Sequence, residues 1–202
     1  MKLHWSPRSP FVRKVMVFAH ETGLAPKIER VRSVVAMTKP NAALMQDNPL
    51  SKIPTLVTDD GTILYDSDVI CEYLDSLGGG RLIPATGEER WRVLRQQALT
   101  DGILDAAILL FYERAQRPAE FHWQPWLDGQ AEKARQGLAA LETEVASFPE
   151  PVDLAQIAAG ITLGWLEFRA PLGDLRATHP RLFAWYDRFR ERPSMKATEP
   201  HA

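Results

Sequence analysis

Ser9 stands where a hydroxyl group can meet an anion. Pro10 suits the first position of a helix, which makes Ser9 the predicted N-cap. The apolar positions that follow recur at helical spacing and stop at Gly23. As a cap, Ser9 would accept a hydrogen bond from a first-turn amide; turned around, its hydroxyl would donate to an anion at the positive end of the helix. The residue alone leaves both roles open.

Two further segments place a proline or a hydroxyl at the start of an element. Pro54 opens an apolar strand, and an ordinary strand-start proline is the simplest interpretation, because a cis bond precedes only about 5–6% of prolines. Asp66 and Ser67 begin a helix whose apolar residues follow at positions 70, 73, 74 and 77. Capping alone explains this pair, and anion binding at the helix N-terminus is the functional alternative.

The elements around these segments are predicted in the order β-α-β-α-β-β-α over residues 1–77. A strand over residues 2–5 and a weak one over residues 27–32 flank the first helix, and residues 41–46 form at most a short second helix. The dipeptide Asp60-Gly61 between two apolar runs predicts a β-hairpin. A small mixed sheet with helices against it is thioredoxin-like in outline.

A glycine-rich break at residues 78–87 (GGGRLIPATG) is predicted to be an interdomain linker. Beyond it, residues 88–202 show helical periodicity, and Asp153 with Gln156 resembles a capping box. The predicted fold is therefore a thioredoxin-like α/β domain over residues 1–77, followed by an all-helical domain over residues 88–202.

The composition excludes several classes of protein. Of 202 residues, 45% are apolar and 25% charged, which is typical of a globular chain. The net charge of −2 gives no support to a nucleic-acid partner. No apolar run reaches the roughly 18 residues of a membrane span, and no signal-peptide pattern opens the chain, so we expect a cytoplasmic protein without a membrane partner. The single cysteine, Cys71, excludes an internal disulfide, and the histidines show no metal spacing, so no metal is expected.

The segment around Ser9 resembles the active-site turn of the glutathione transferase family. The run SPRSPFVRKV, residues 6–15, is similar to the turn of serine-type or cysteine-type members. Ser9-Pro10-Phe11 fits the family's Ser/Cys-Pro-Phe pattern better than the rival hydroxyl, Ser6, does.

The same family resemblance extends along the whole chain. Residues 48–56 (NPLSKIPTL) resemble the family's NPxGKVPxL loop, with Ser51 in place of the usual glycine. Asp66-Ser67 resembles its acidic-Ser pair, and residues 180–195 resemble the tail of bacterial members. Each motif alone is weak, but their order along the chain is specific.

The resemblance implies that Ser9 donates a hydrogen bond to the thiolate of glutathione. A thiol of pKa about 8.5 is only a few per cent ionised at pH 7. Lowering that pKa by about 2 units requires roughly 2.7 kcal/mol. A hydrogen bond to a charged group supplies roughly 1.5–3 kcal/mol and a helix terminus roughly 0.3–1 kcal/mol. One serine at one helix end is therefore sufficient, without a catalytic base.

The resemblance also implies how the rest of glutathione binds. A cis Ile53–Pro54 bond would direct the Ile53 backbone at the cysteinyl segment, as in strand addition. Ser67 and nearby amides would hold the γ-glutamyl carboxylate, and Asp66 would hold the ammonium group. Lys39 resembles a lysine that binds the glycyl carboxylate, although an exposed lysine without a role is the plain alternative.

The second substrate is expected to meet aromatic residues. Phe11, Tyr112 and Trp165 are the candidates for its pocket, although most such aromatics belong to a core. Cys71 lies away from any helix start and is expected to be an inert, packed thiol.

These expectations combine into one leading function. We expect a homodimeric transferase that takes glutathione as co-substrate, activates its thiol and adds the sulfur to a small apolar electrophile. The alternatives are a non-catalytic binding or regulatory subunit of the same fold and a glutathione-dependent reductase or peroxidase. Because serine replaces cysteine at position 9, a stable mixed disulfide with the protein is not available for a reductase.

Overall fold

The computed structural model describes residues 1–201, which form two compact units. The first unit is Met1–Ala85 together with the segment that begins at Pro193, and the second unit is Thr86–Arg192. The division between Ala85 and Thr86 falls inside the predicted linker. A thioredoxin-like α/β region followed along the chain by a helical region is the fold that the sequence predicts.

A small mixed sheet forms the centre of the first unit. Its strand order is β2-β1-β3-β4, with β1 parallel to β2, antiparallel to β3, and β3 antiparallel to β4. The strands are β1 (Lys2–Trp5), β2 (Glu29–Arg32), β3 (Thr55–Val57) and β4 (Ile63–Leu64). Leu3 and Leu56 are opposite each other in the register and are fully buried, so the core lies against these two strands.

Helix α1 (Pro10–Glu21) is buried on almost every side. All residues from 12 to 19 are buried, and they include the charged residues Arg13 and Lys14. Gly23 follows the helix with φ +72°, a left-handed conformation that glycine adopts without strain. The predicted N-cap, helix and glycine stop of this segment are all confirmed.

Helix α2 (Ser67–Leu77) packs on α1. A Cβ atom on Gly78, the residue after α2, would lie 2.8 Å from the Cβ atom of Thr22, so only glycine allows this approach. The predicted second helix is absent as an α-helix from the described residues, where only a 3₁₀ turn over Leu44–Gln46 occupies its place. Asn41 Oδ1 accepts hydrogen bonds from the amides of Ala43 and Leu44. These side-chain bonds form a local turn that competes with the backbone bonds of a longer helix.

Long helices make up the second unit, as the helical periodicity beyond residue 88 predicts. They are α3 (Gly87–Gln116), α4 (Gln124–Glu144), α5 (Leu154–Arg169) and α6 (Pro180–Phe189). Asp153 caps α5 by accepting the Gln156 amide at 3.1 Å, as predicted. The Gln156 side chain does not return the bond that a capping box requires; it donates to the Pro149 carbonyl at 2.7 Å.

The C-terminal segment differs from the prediction, which placed it in the helical domain. Helix α7 (Pro193–Lys196) packs on α1 of the first unit. Arg13 donates to the Met195 carbonyl at 3.1 Å, and Ser194 donates to Glu21. Met195 is itself buried. These contacts join residues more than 170 positions apart, which local periodicity could not reveal.

No helix within residues 1–201 is both long enough and apolar enough to cross a membrane.

Candidate functional site

Ser9 is half-buried at the N-terminus of α1. Its Oγ atom accepts the backbone N–H of Val12 at 3.3 Å, which is the predicted N-cap bond. A hydroxyl can accept and donate at the same time, because it has two lone pairs and one hydrogen. Within residues 1–201 the structure gives that hydrogen no acceptor. Capping and donation to an anion are therefore compatible roles for Ser9.

Ser6, the rival hydroxyl, is engaged differently. Its Oγ atom accepts the Arg8 amide at 3.4 Å, a local turn contact, and its carbonyl accepts the Ser9 amide at 3.3 Å. It lines a small cavity of about 50 Å³ together with Arg13 and residues of the C-terminal segment. Ser6 therefore shapes the turn before α1, whereas Ser9 stands at the helix N-terminus.

The Ile53–Pro54 peptide bond is cis, as the family resemblance implies. Both residues are buried, and no backbone group of Ile53 is paired with another backbone group in the part of the chain that the structure describes. The turn is held by Asn48, whose Nδ2 donates to the Lys52 carbonyl at 3.2 Å and to Thr55 Oγ1 at 3.0 Å. The backbone of Ile53 is thus fixed from outside and left available for an added strand.

Ser51 occupies the position where the family motif has glycine. Its φ angle is +53°, in the left-handed region that glycine tolerates and other residues adopt at a cost. Its hydroxyl accepts the Asn41 amide at 2.8 Å. That hydrogen bond fastens the loop before the 3₁₀ turn and offsets the backbone strain.

Asp66 and Ser67 stand at the N-terminus of α2. Asp66 is exposed and caps the helix by accepting the Asp68 amide at 3.1 Å. Ser67 is buried, and its hydroxyl donates to Asp68 Oδ1 over a long distance of 3.4 Å. The Tyr65–Asp66 peptide bond before them is also cis. The helix start thus combines the positive end of a helix with a hydroxyl that holds only a weak bond.

Lys14 is a further candidate site residue, and it is one that was not predicted from the sequence. Its side chain is 1% exposed, yet its ammonium group lies 2.7 Å from Asp68 Oδ1. It also lies 5.6 Å from the centre of the Phe11 ring. The signal in the sequence is a lysine inside the apolar run from Val12 to Ala19, a position where charge is rarely buried without a partner. Lys14 connects the helix of Ser9 with the first turn after Ser67.

Lys39 lies apart from these contacts. It is exposed in the loop after β2, where its backbone forms an isolated bridge with Ala36. No hydrogen bond or ion pair joins it to the other predicted site residues within residues 1–201. Its predicted role depends on the resemblance alone.

The predicted second-substrate residues fall in both units. Phe11 is half-buried in the first turn of α1. In the second unit, Tyr112 is half-buried and Trp165 is 5% exposed, and both pack edge-on against Phe111, at 5.4 and 6.1 Å between ring centres. The burial of Trp165 favours the core alternative for that residue.

Cys71 is fully buried in α2, in agreement with a packed thiol. Among residues 1–201 the His, Cys, Asp and Glu side chains form no group of three that could hold a metal ion.

The first unit therefore offers groups for an elongated, charged ligand. Two helix N-termini, at Ser9 and Ser67, favour negative charge. The fixed backbone of Ile53 suits an extended peptide, and the Asp66 carboxylate suits a cationic group. A small zwitterionic peptide carries all of these features.

Comparison with known proteins yields one family in both halves of the chain. Residues 8–77 match the family described as glutathione S-transferase, N-terminal domain, and residues 124–188 match glutathione S-transferase, C-terminal domain. An uncharacterized GST-like protein, YibF of Escherichia coli (strain K12), is 33% identical over 99% of this chain and 98% of its own length.

Solved structures agree with this match. A glutathione transferase family member from Pseudomonas fluorescens Pf-5 with bound glutathione has 49% identity and a TM-score of 0.96. The alignment covers 100% of this chain and 99% of that one. A structure from the same organism with bound S-(propanoic acid)-glutathione has 46% identity and a TM-score of 0.92, and 99% of each chain is covered.

Proposed function

Because the chain belongs to the glutathione S-transferase family, we propose that it binds reduced glutathione in its first unit, holds the thiol as a thiolate and adds the sulfur to a small apolar electrophile. The observation that carries the proposal is the state of Ser9. A half-buried hydroxyl at a helix N-terminus accepts one hydrogen bond at 3.3 Å and keeps its own hydrogen for a ligand.

Thiolate formation needs no other protein group. The Ser9 hydroxyl and the positive end of α1 together supply roughly 2–4 kcal/mol toward the charged sulfur, enough to lower the thiol pKa by about 1.5–3 units. A larger fraction of bound glutathione is then ionised near neutral pH. Since only the thiolate attacks, a larger ionised fraction accelerates the addition.

The tripeptide is proposed to extend between two groups of the first unit. Its cysteinyl backbone pairs with the free N–H and C=O of Ile53 beside Pro54. Its γ-glutamyl carboxylate accepts from Ser67 and the first amides of α2, and its ammonium group faces Asp66. Lys39 is proposed to bind the glycyl carboxylate through its exposed side chain.

The electrophile is proposed to contact aromatic surface. Phe11 and Tyr112 are half-buried and retain accessible ring surface, whereas Trp165 is proposed to act by supporting Phe111. The Pseudomonas protein that holds S-(propanoic acid)-glutathione indicates that a relative accommodates a thioether on the glutathione sulfur.

The assembly and location follow the family as proposals. We propose a homodimer in the cytoplasm, since two-fold pairing is the commonest soluble assembly. Sedimentation at micromolar concentration tests the dimer: the mass of two chains is expected, and the mass of a single chain would contradict it.

Calorimetric titration with reduced glutathione, followed by a conjugation assay with 1-chloro-2,4-dinitrobenzene, tests the function. Saturable binding with conjugation is expected. Binding without conjugation to this or other electrophiles would favour a non-catalytic subunit, and turnover of disulfides or peroxides alone would favour a reductase or peroxidase. Absence of glutathione binding would contradict the proposal at its base.

A further inference from the structure

The charge of Lys14 is buried on α1, where it adds little to the stability of the fold. Among side chains less than 2% exposed, Lys14 is among the largest, and it lies on a helix whose residues 12–19 are all buried. Burying an ammonium group is costly, and a well-packed apolar residue of similar volume often stabilises a protein as well or better. The lysine therefore calls for a role beyond packing.

The partner of Lys14 stands at the entrance to the proposed γ-glutamyl site. Asp68 is the second residue of α2, and its side chain is 47% exposed beside the helix N-terminus. With Asp66 it places two carboxylates at the point where a third, from the ligand, is proposed to bind. An uncompensated Asp68 would repel that third carboxylate and would oppose the attraction of the helix terminus.

Lys14 and Ser67 both contact the carboxylate of Asp68, and Lys14 is the nearer of the two. Lys14 Nζ and Ser67 Oγ both approach the same atom, Asp68 Oδ1, at 2.7 Å and 3.4 Å respectively. The short, charge-assisted bond from Lys14 is the stronger of the two. The Ser67 hydroxyl is thus held only weakly by Asp68 and can turn to another carboxylate at little cost.

We propose that Lys14 is a positioning residue for the γ-glutamyl carboxylate, an inference that rests on the proposed glutathione binding. It neutralises Asp68 from inside the protein and occupies the oxygen that would otherwise hold Ser67. The Ser67 hydroxyl, at the positive end of α2, is thereby left to the ligand. Lys14 acts through Asp68 and Ser67 and touches no reacting atom.

The test compares Lys14→Met with Lys27→Met, which removes the same charge from an exposed position in the same unit. Calorimetry would measure the Kd for glutathione and for glutathione amidated at the γ-glutamyl carboxylate. We expect Lys14→Met to weaken the binding of glutathione about tenfold and the binding of the amidated ligand less than twofold. The reason is that only unmodified glutathione presents a negative charge to Asp68 at this site. Lys27→Met is expected to leave both Kd values unchanged.

The double variant Lys14→Met with Asp68→Asn separates charge from packing. It removes both charges, so glutathione affinity is expected to return to within about threefold of the wild type. Equal weakening of both ligands in Lys14→Met, an unchanged glutathione Kd, or no recovery in the double variant would overturn the proposal. If Lys14→Met does not fold, Lys14→Gln takes its place in the same comparison. Failure of the wild type to bind glutathione would instead refute the proposed function.

Discussion

The Oγ atom of Ser9 accepts the amide hydrogen of Val12 at 3.3 Å, and this bond leaves the hydroxyl hydrogen directed elsewhere. From the sequence, capping and thiolate binding were opposed roles for Ser9. The geometry makes them complementary, because a hydroxyl that accepts from the helix can still donate to a ligand. A test of Ser9 must therefore remove donation without removing the stability of the cap.

Ser67→Ala is expected to weaken glutathione binding by about 1–3 kcal/mol, the loss of a hydrogen bond to a charged group. Ser76→Ala is the matched control, since Ser76 lies on the same helix but is exposed and donates to the Tyr73 carbonyl. Calorimetric Kd values measure both. Equal affinities for Ser67→Ala and the wild type would contradict the assigned carboxylate site.

Ser51→Gly and Ser51→Ala are expected to differ in stability although both remove the hydroxyl. Glycine relieves a left-handed backbone that costs about 1 kcal/mol, and this gain offsets the lost bond to Asn41. Alanine loses the bond and keeps the strain, so we expect it to lower the free energy of unfolding by about 1 kcal/mol. Denaturant unfolding measures the difference; alanine as stable as glycine would show that the backbone at this position is unstrained.

Glu142 on α4 caps the N-terminus of α6, where His179 supplies no side-chain cap. It accepts the amides of Arg181 and Leu182 at 3.0 and 2.7 Å. Burial raises the pKa of Glu142, but these hydrogen bonds and the Arg181 guanidinium lower it by more. The pKa of Glu142 therefore lies below its usual value. The carboxylate form therefore stabilises the fold.

Glu142→Gln is expected to cost about 1 kcal/mol of unfolding free energy at neutral pH, as for a lost cap. Because the folded pKa is lowered, this contribution is fully present above the unfolded pKa, near 4.5, and is lost as pH falls through the folded pKa. Urea unfolding at neutral and acidic pH should show a gap that closes in acid. A gap that is constant with pH would mean that the carboxylate charge is irrelevant.

The local elements were predictable because their signals are local. Ser9-Pro10 and Gly23 mark the ends of α1, and Asp60-Gly61 marks the hairpin, through conformational preferences of single residues. The cis bond before Pro54 was not predictable from the dipeptide, which favours trans; it came from the resemblance of the surrounding loop.

The contacts that position the site were not predictable, because they join distant parts of the chain. Lys14 and Asp68 are 54 residues apart, and only the packing of α1 on α2 brings them to 2.7 Å. Arg13 donates a hydrogen bond to Met195, which is 182 residues away in the sequence. Because of such contacts, the C-terminal segment belongs to the first unit. Neither the helical period nor the residue type specifies which buried face of one element packs against which face of another.

The most direct test of the account is the thiol pKa of bound glutathione, measured by thiolate ultraviolet absorbance against pH in the wild type, Ser9→Gly and Ser9→Ala. At an N-cap, replacing serine by glycine lowers the free energy of unfolding by only a few tenths of a kcal/mol, whereas alanine lowers it by about 1 kcal/mol. The two variants therefore differ in stability although both lack the hydroxyl. If Ser9 donates to the thiolate, both variants are expected to raise the thiol pKa by at least about one unit and to slow conjugation near neutral pH roughly tenfold per unit. Titration curves of both variants that superimpose on the wild type would contradict it and would leave Ser9 as a helix cap only.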